Sequence, residues 1–109
     1  MNHTTLTNQY NQLKQSAEFK QIHFELTIEH LSSMPQECFY TGLPLTMELG
    51  KSATLTIDRL DNKKPYTHDN VVLCCDFIRK MKRNLDYGMF ICACEQITTV
   101  AKSIIIADS

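Results

Sequence analysis

The chain has 109 residues, with 11 basic and 12 acidic side chains, a formal net charge of -1 and a sequence pI of about 6.4. This excludes a protein whose whole surface is a basic nucleic-acid glove, since such binders draw most of their affinity from phosphate contacts. With 43% hydrophobic and 21% charged residues, the composition is an ordinary globular one, and the length suits a single domain over residues 1–109. Five cysteines, an odd number, follow the polar opening MNHTTLTNQYNQLKQ. That pattern predicts no signal peptide, no disulfide framework and a cytoplasmic location. No apolar run reads as a membrane span, and no membrane partner is expected.

In chain order, residues 5–17 predict a helix with Leu6, Tyr10, Leu13 and Ala17 on one stripe. A second helix is expected after Thr27, a suitable N-cap, and Pro35 ends it. Cys38–Leu45 carries Gly42 and Pro44 and reads as a turn. The alternation of Ala53–Arg59 predicts a strand, with Leu55 and Ile57 on one face and Thr54, Thr56 and Asp58 on the other. Residues 61–65 are a loop by composition, and Asn70–Leu73 predicts a second strand. A helix over Cys75–Arg83 offers Phe77, Ile78 and Met81 for packing. Asn84 or Asp86 can cap a last helix reaching about Ile106, with Phe90, Cys94, Ile97, Ala101 and Ile104 at the helical period. Cys92 and Cys94 in that helix read as core thiols. An exposed apolar patch on the first or last helix would mark a protein partner or a dimer; the oligomeric state itself is not readable.

Charge is uneven. Between Lys51 and Arg83 eight basic residues stand against four acids, a local surplus of +4, while the rest of the chain is acidic. One end of the molecule is thus suited to a polyanion, with Arg59, Lys63, Lys64, Arg79, Lys80, Lys82 and Arg83 as the candidate binding residues.

Strand, loop, strand and helix, carrying CFYTGLPLT (38–46), TIDRLDN (56–62), YTHDNVVLCC (66–75) and Met81-Lys82, resemble the HNH, or ββα-metal, endonuclease superfamily, most of all its small phage and mobile-element members. The resemblance covers roughly residues 25–97, with the motif core at 38–84. It implies an α+β fold: a ββα hairpin-plus-helix core flanked by N-terminal helices and a long C-terminal helix. It also implies a divalent metal, Mg2+ or Mn2+, on the scissile phosphate. Asp58 matches the metal-binding Asp of the first strand, and Asn70 matches the structural Asn before the second. Arg59 stands where a general-base His is usual, and Arg79 where a ligating Asn or His is usual. Asp58, Arg59 and Tyr66 resemble a variant arrangement in which a Tyr activates water. Cys38, Thr41, Cys75 and Ile78 match a zinc knuckle reduced to two thiols, so zinc is not expected.

An Arg cannot ligate a cation and repels one nearby. Asp76, one helical turn before Arg79, is the residue able to replace the lost ligand, and it equally suits the helix N-terminus as a capping charge. His68 reads as a solvent-facing loop residue; His3, His23 and His30 show no metal-like spacing. Two functions stay open. In the first, the chain keeps the fold, has lost hydrolysis, and binds nucleic acid or a nucleic-acid-processing host protein, for example as an inhibitor of a defence nuclease of CRISPR or restriction type. In the second, it is a metal-dependent DNA endonuclease or nickase, with Asp58 and Asp76 on the metal and Tyr66, Arg59 and Asn70 completing the site.

Overall fold

The computed structural model describes residues 2–46, 48, 51 and 53–107. It is a mixed α+β chain whose centre is one antiparallel hairpin. Strand β1 (Leu55–Arg59) pairs with β2 (Val71–Cys75) in the register Leu55 to Cys75, Ile57 to Leu73 and Arg59 to Val71. Helices α1 (Asn2–Phe19) and α2 (Ile28–Ser33) precede the hairpin; α3 (Asp76–Lys82) and α4 (Tyr87–Ala107) follow it.

The caps behave as the sequence predicts. Thr27 Oγ1 accepts from His30 N at 3.2 Å and starts α2. Of the two candidates for α4, Asp86 is the one used: its Oδ1 accepts from Met89 N at 2.8 Å. Such a cap satisfies one of the amides that a helix start leaves without an internal partner.

Both faces of the hairpin are covered. Leu55, Ile57, Val71 and Leu73 meet Leu6, Leu26 and Leu31 of the N-terminal half. On the other side Cys38, Cys74, Cys75, Ile78 and Phe90 form a second cluster. The expected alternation on β1 is therefore incomplete: Thr54 and Asp58, placed on the outer face, are only 7% and 6% exposed. The turn at Cys38 and helix α3 cover that face, so a carboxylate is held inside the protein.

Two expectations for α4 are corrected. Cys92 is exposed and Cys94 half-buried, so neither is a fully buried core thiol. The helix meets the body through its first turns, at Tyr87, Phe90 and Cys94, and the residues from Glu95 to Ile105 are exposed. Tyr87–Ile105 is also long and apolar enough, by length and composition alone, to cross a membrane.

Candidate functional site: a basic cleft over a buried ion pair

The end of β1 and helix α3 border a cleft of about 490 Å3. Five cationic side chains line it: Lys20 from the segment after α1, Arg59 from β1, Arg79 and Lys80 from α3, and Arg83 just beyond. Asp58 is the one acidic residue in the lining, and Tyr66 and Asn62 complete the wall.

One oxygen of Asp58 is already engaged by two partners. Its Oδ2 accepts the Tyr40 hydroxyl at 2.8 Å and lies 3.3 Å from Lys82 Nζ. Lys82 is completely buried, and its ammonium also donates to the Arg59 carbonyl at 2.8 Å and to Asn62 Oδ1 at 3.4 Å. Three acceptors thus surround one buried cation, the condition under which a charge can be kept inside a protein. Burial and the neighbouring carboxylate together push the Tyr40 phenol far above its ordinary range, so Tyr40 stays a donor. Lys82 therefore does not belong to a binding surface, the role expected of it. The helical period places it four residues after buried Ile78, on the stripe that faces the core.

Asp76 is engaged as well. Its Oδ1 pairs with Arg79 at 3.1 Å and its Oδ2 with Lys80 at 2.9 Å. Lys80 and then Arg79 hold its carboxyl below the usual carboxylate range. It does not line the cleft beside Asp58. With an ammonium on Asp58, both oxygens of Asp76 engaged, and Arg79 in the wall, these side chains do not fit a divalent cation. Among the described residues, no group of three His, Cys, Asp or Glu side chains is placed to hold one.

Arg59 and Tyr66 are brought together, but not as a charge beside a phenol oxygen. The guanidinium lies 4.4 Å from the centre of the Tyr66 ring, over its face, and Nη1 donates to the Lys64 carbonyl at 3.0 Å. The ring also packs against Phe24, with centroids 5.6 Å apart. This is a cation–π contact that holds Arg59 at the cleft wall.

Asn70 is buried and fully engaged. Its Oδ1 accepts from Asp61 N, while Nδ2 donates to the carbonyls of Asp61 at 3.0 Å and Pro65 at 2.9 Å. It folds the 60–65 loop back on itself and touches nothing in the cleft, so its role is architectural. Lys63 and Lys64 are exposed on that loop and stand outside the cleft lining. His68 is exposed, as expected, and its ring meets that of His30 at 3.8 Å between centroids.

The four positions matched to a zinc knuckle do converge. Cys38, Cys75 and Ile78 share one buried cluster, and Thr41 Oγ1 lies 4.0 Å from Cys75 Sγ. Burial pushes the Cys38 thiol up, but hydrogen bonds from the Thr41 hydroxyl and from backbone amides of Cys75, Thr41 and Tyr40 outweigh it and bring the net shift down. Ile78 contributes only apolar contact to that cluster.

Two participants had no clear signal in sequence. Lys20 is distant in the chain from the basic stretch, and Tyr40 meets Asp58 across 18 positions.

No known family model, curated protein or solved structure matches this chain.

Proposed function

We propose that this chain is an HNH-like ββα protein that no longer hydrolyses and that binds the phosphate backbone of nucleic acid along its basic cleft. The carrying observation is the pair Asp58–Lys82: the carboxylate on which a catalytic metal would depend is held at 3.3 Å by an ammonium with no exposure to solvent. The cation already in place is part of the chain, and a second one beside it would meet its field at close range.

The surroundings suit an anion. Five cations face the cleft against one carboxylate that is already neutralised. Arg79 Nε is buried and has no hydrogen-bond partner among the described residues, an unsatisfied group beside the cleft. Arg83 is held at φ +50°, a backbone conformation that side chains other than glycine rarely adopt. Strain kept at the rim of a cleft, where the charged side chain would be the gain, is the pattern of a functional position. In a phage or mobile element, such a module would compete with a host defence nuclease by occupying nucleic acid without cutting it.

The test combines binding with cleavage. Fluorescence anisotropy with labelled oligonucleotides should show affinity falling steeply with salt, by about 0.9 log units per log unit of salt for each duplex phosphate contact. Arg79→Gln should weaken binding about tenfold and lower that slope by about one contact. Plasmid incubated with Mg2+ or Mn2+ should stay supercoiled. Metal-dependent nicking that disappears in Asp58→Ala would overturn the reading in favour of an endonuclease. Binding that does not respond to salt or to Arg79→Gln would remove the cleft from it.

A further inference from the structure

Helix α4 leaves the body almost at once. Phe90 is 5% exposed and Cys94 is half-buried, while Ile97, Val100 and Ile104 are 68%, 50% and 57% exposed. A helix gains most of its stability by packing an apolar face, and here that face continues past the edge of the protein. Phe90, Cys94, Ile97, Ala101 and Ile104 recur at alternating intervals of four and three, the spacing of a helix–helix seam. Glu95, Gln96, Thr99, Lys102 and Ser103 fall on the opposite side.

We propose that α4 packs antiparallel against α4 of a second copy of this chain, about a twofold axis near Thr99. The first support is side-chain size. An antiparallel seam about that axis sets Cys94 against the partner copy's residue 104, and Ile97 against its residue 101. Each large isoleucine then meets a small Cys or Ala, and the layers have even width. A parallel pair would stack Ala on Ala and Ile on Ile, alternating thin and thick layers that interdigitate poorly.

The second support is the absence of charge at the seam. Glu95 and Lys102, the acidic and basic side chains of α4, lie seven residues apart on the outer face, away from it. The seam itself carries no charge, which leaves nothing on it to recruit an acidic or basic partner. Two ionised groups in mid-helix also disfavour insertion across a bilayer.

The third support is area. Burying Ile91, Ile97, Val100 and Ile104 with the smaller seam residues of both copies removes on the order of 1,000 Å2 from water, at the lower bound of specific interfaces. The bare stretch is centred near residue 99, so the twofold axis leaves the two bodies at opposite ends of the helix pair. An interface of this size should associate reversibly at about 1–100 μM.

Sedimentation of the full chain should show mass rising with concentration from 12.6 kDa towards twice that value. Ile97→Asp with Ile104→Asp should hold it at 12.6 kDa; both positions are exposed in one copy, so the fold of the body should be unaffected in near-ultraviolet dichroism. Direction is read by oxidative cross-linking in a Cys92→Ser background. Adding Ile104→Cys should give a covalent dimer that a further Cys94→Ser abolishes. Residues 94 and 104 lie ten positions, about 15 Å, apart along the helix, so the Cys92→Ser chain should not cross-link through Cys94 alone. Cross-linking through Cys94 alone would overturn the antiparallel arrangement. A chain that stays at monomer mass throughout this range, or that instead co-floats with phosphatidylcholine–phosphatidylglycerol vesicles, would overturn self-association.

Discussion

Replacing Lys82 by methionine isolates the feature on which the functional reading rests. Methionine keeps most of the volume and the unbranched shape of the lysine stem, so the core should still close around it. What disappears is the ammonium, and with it the 3.3 Å contact to Asp58 and the bonds to the Arg59 carbonyl and Asn62 Oδ1. Asp58, 6% exposed, would keep the Tyr40 hydroxyl as its polar partner. Removing one member of a buried pair typically costs about 3–5 kcal/mol, because the other charge stays uncompensated. A domain of this size has about 5–15 kcal/mol in total, so the variant should be visibly weakened. Urea unfolding followed by circular dichroism should show the midpoint falling by about 2 M at an ordinary urea dependence. Asp58→Asn with Lys82→Met removes both charges and keeps an acceptor for Tyr40. This double variant should lie closer to the wild type than Lys82→Met alone, giving a coupling of about 2 kcal/mol. A loss below about 1 kcal/mol in Lys82→Met, or strictly additive single losses, would refute the ion pair as the support of this site.

Other consequences can be measured on the same material. Arg83→Gly should relieve the positive-φ strain and raise stability by about 1 kcal/mol in thermal unfolding, while weakening oligonucleotide binding. Asn70→Ala should cost about 2–4 kcal/mol in urea unfolding, because the 60–65 loop loses an acceptor and at least two donated bonds at once. The Asp76 carboxyl is depressed in the folded state, so its contribution is present above the ordinary aspartate range and disappears as pH falls through the folded value. The stability difference between wild type and Asp76→Asn should therefore be largest near neutrality and close as pH drops below about 4, read from thermal midpoints across pH.

Much of the scaffold was legible because its signals are local. The alternation of Leu55 and Ile57 and the Thr27 and Asp86 caps each depend on a few neighbouring residues. Asp76 reads in sequence as a replacement ligand or a capping charge, and its pairing with Arg79 and Lys80 is what the structure adds. The cleft was legible only in part: Arg59, Arg79, Lys80 and Arg83 line it, whereas Lys63 and Lys64 do not and Lys20 joins from the far end of α1. Composition places Lys82 on the surface, because lysine is almost never fully buried. Its spacing from Ile78 was the countervailing signal. Cys92 and Cys94 were misplaced for a different reason. Helical period reports which residues share a face, but not how far along that face the neighbouring body extends.

The buried pair also ties together the elements that surround the cleft. Lys82 ties the last helical turn of α3 to the end of β1 through Asp58 and the Arg59 carbonyl, and to the loop through Asn62. Tyr40 adds the Cys38 turn to the same carboxylate. One ammonium thus joins strand, loop, turn and helix at a single point, the task a bound cation performs where a site is built around one. A fixed charge of +1 differs from a divalent ion in what it leaves over. It neutralises Asp58 but offers no open coordination position and no bound water. The other charged side chains lining the cleft are all cations: the guanidinium groups of Arg59, Arg79 and Arg83 and the ammonium groups of Lys20 and Lys80. Such a set suits phosphate oxygens, which is what the proposed reading requires. Metal-dependent cutting gained by a chain carrying Lys82→Met with Arg79→Asn, and absent from the wild type, would support the proposal that these two cations stand where a catalytic metal would sit.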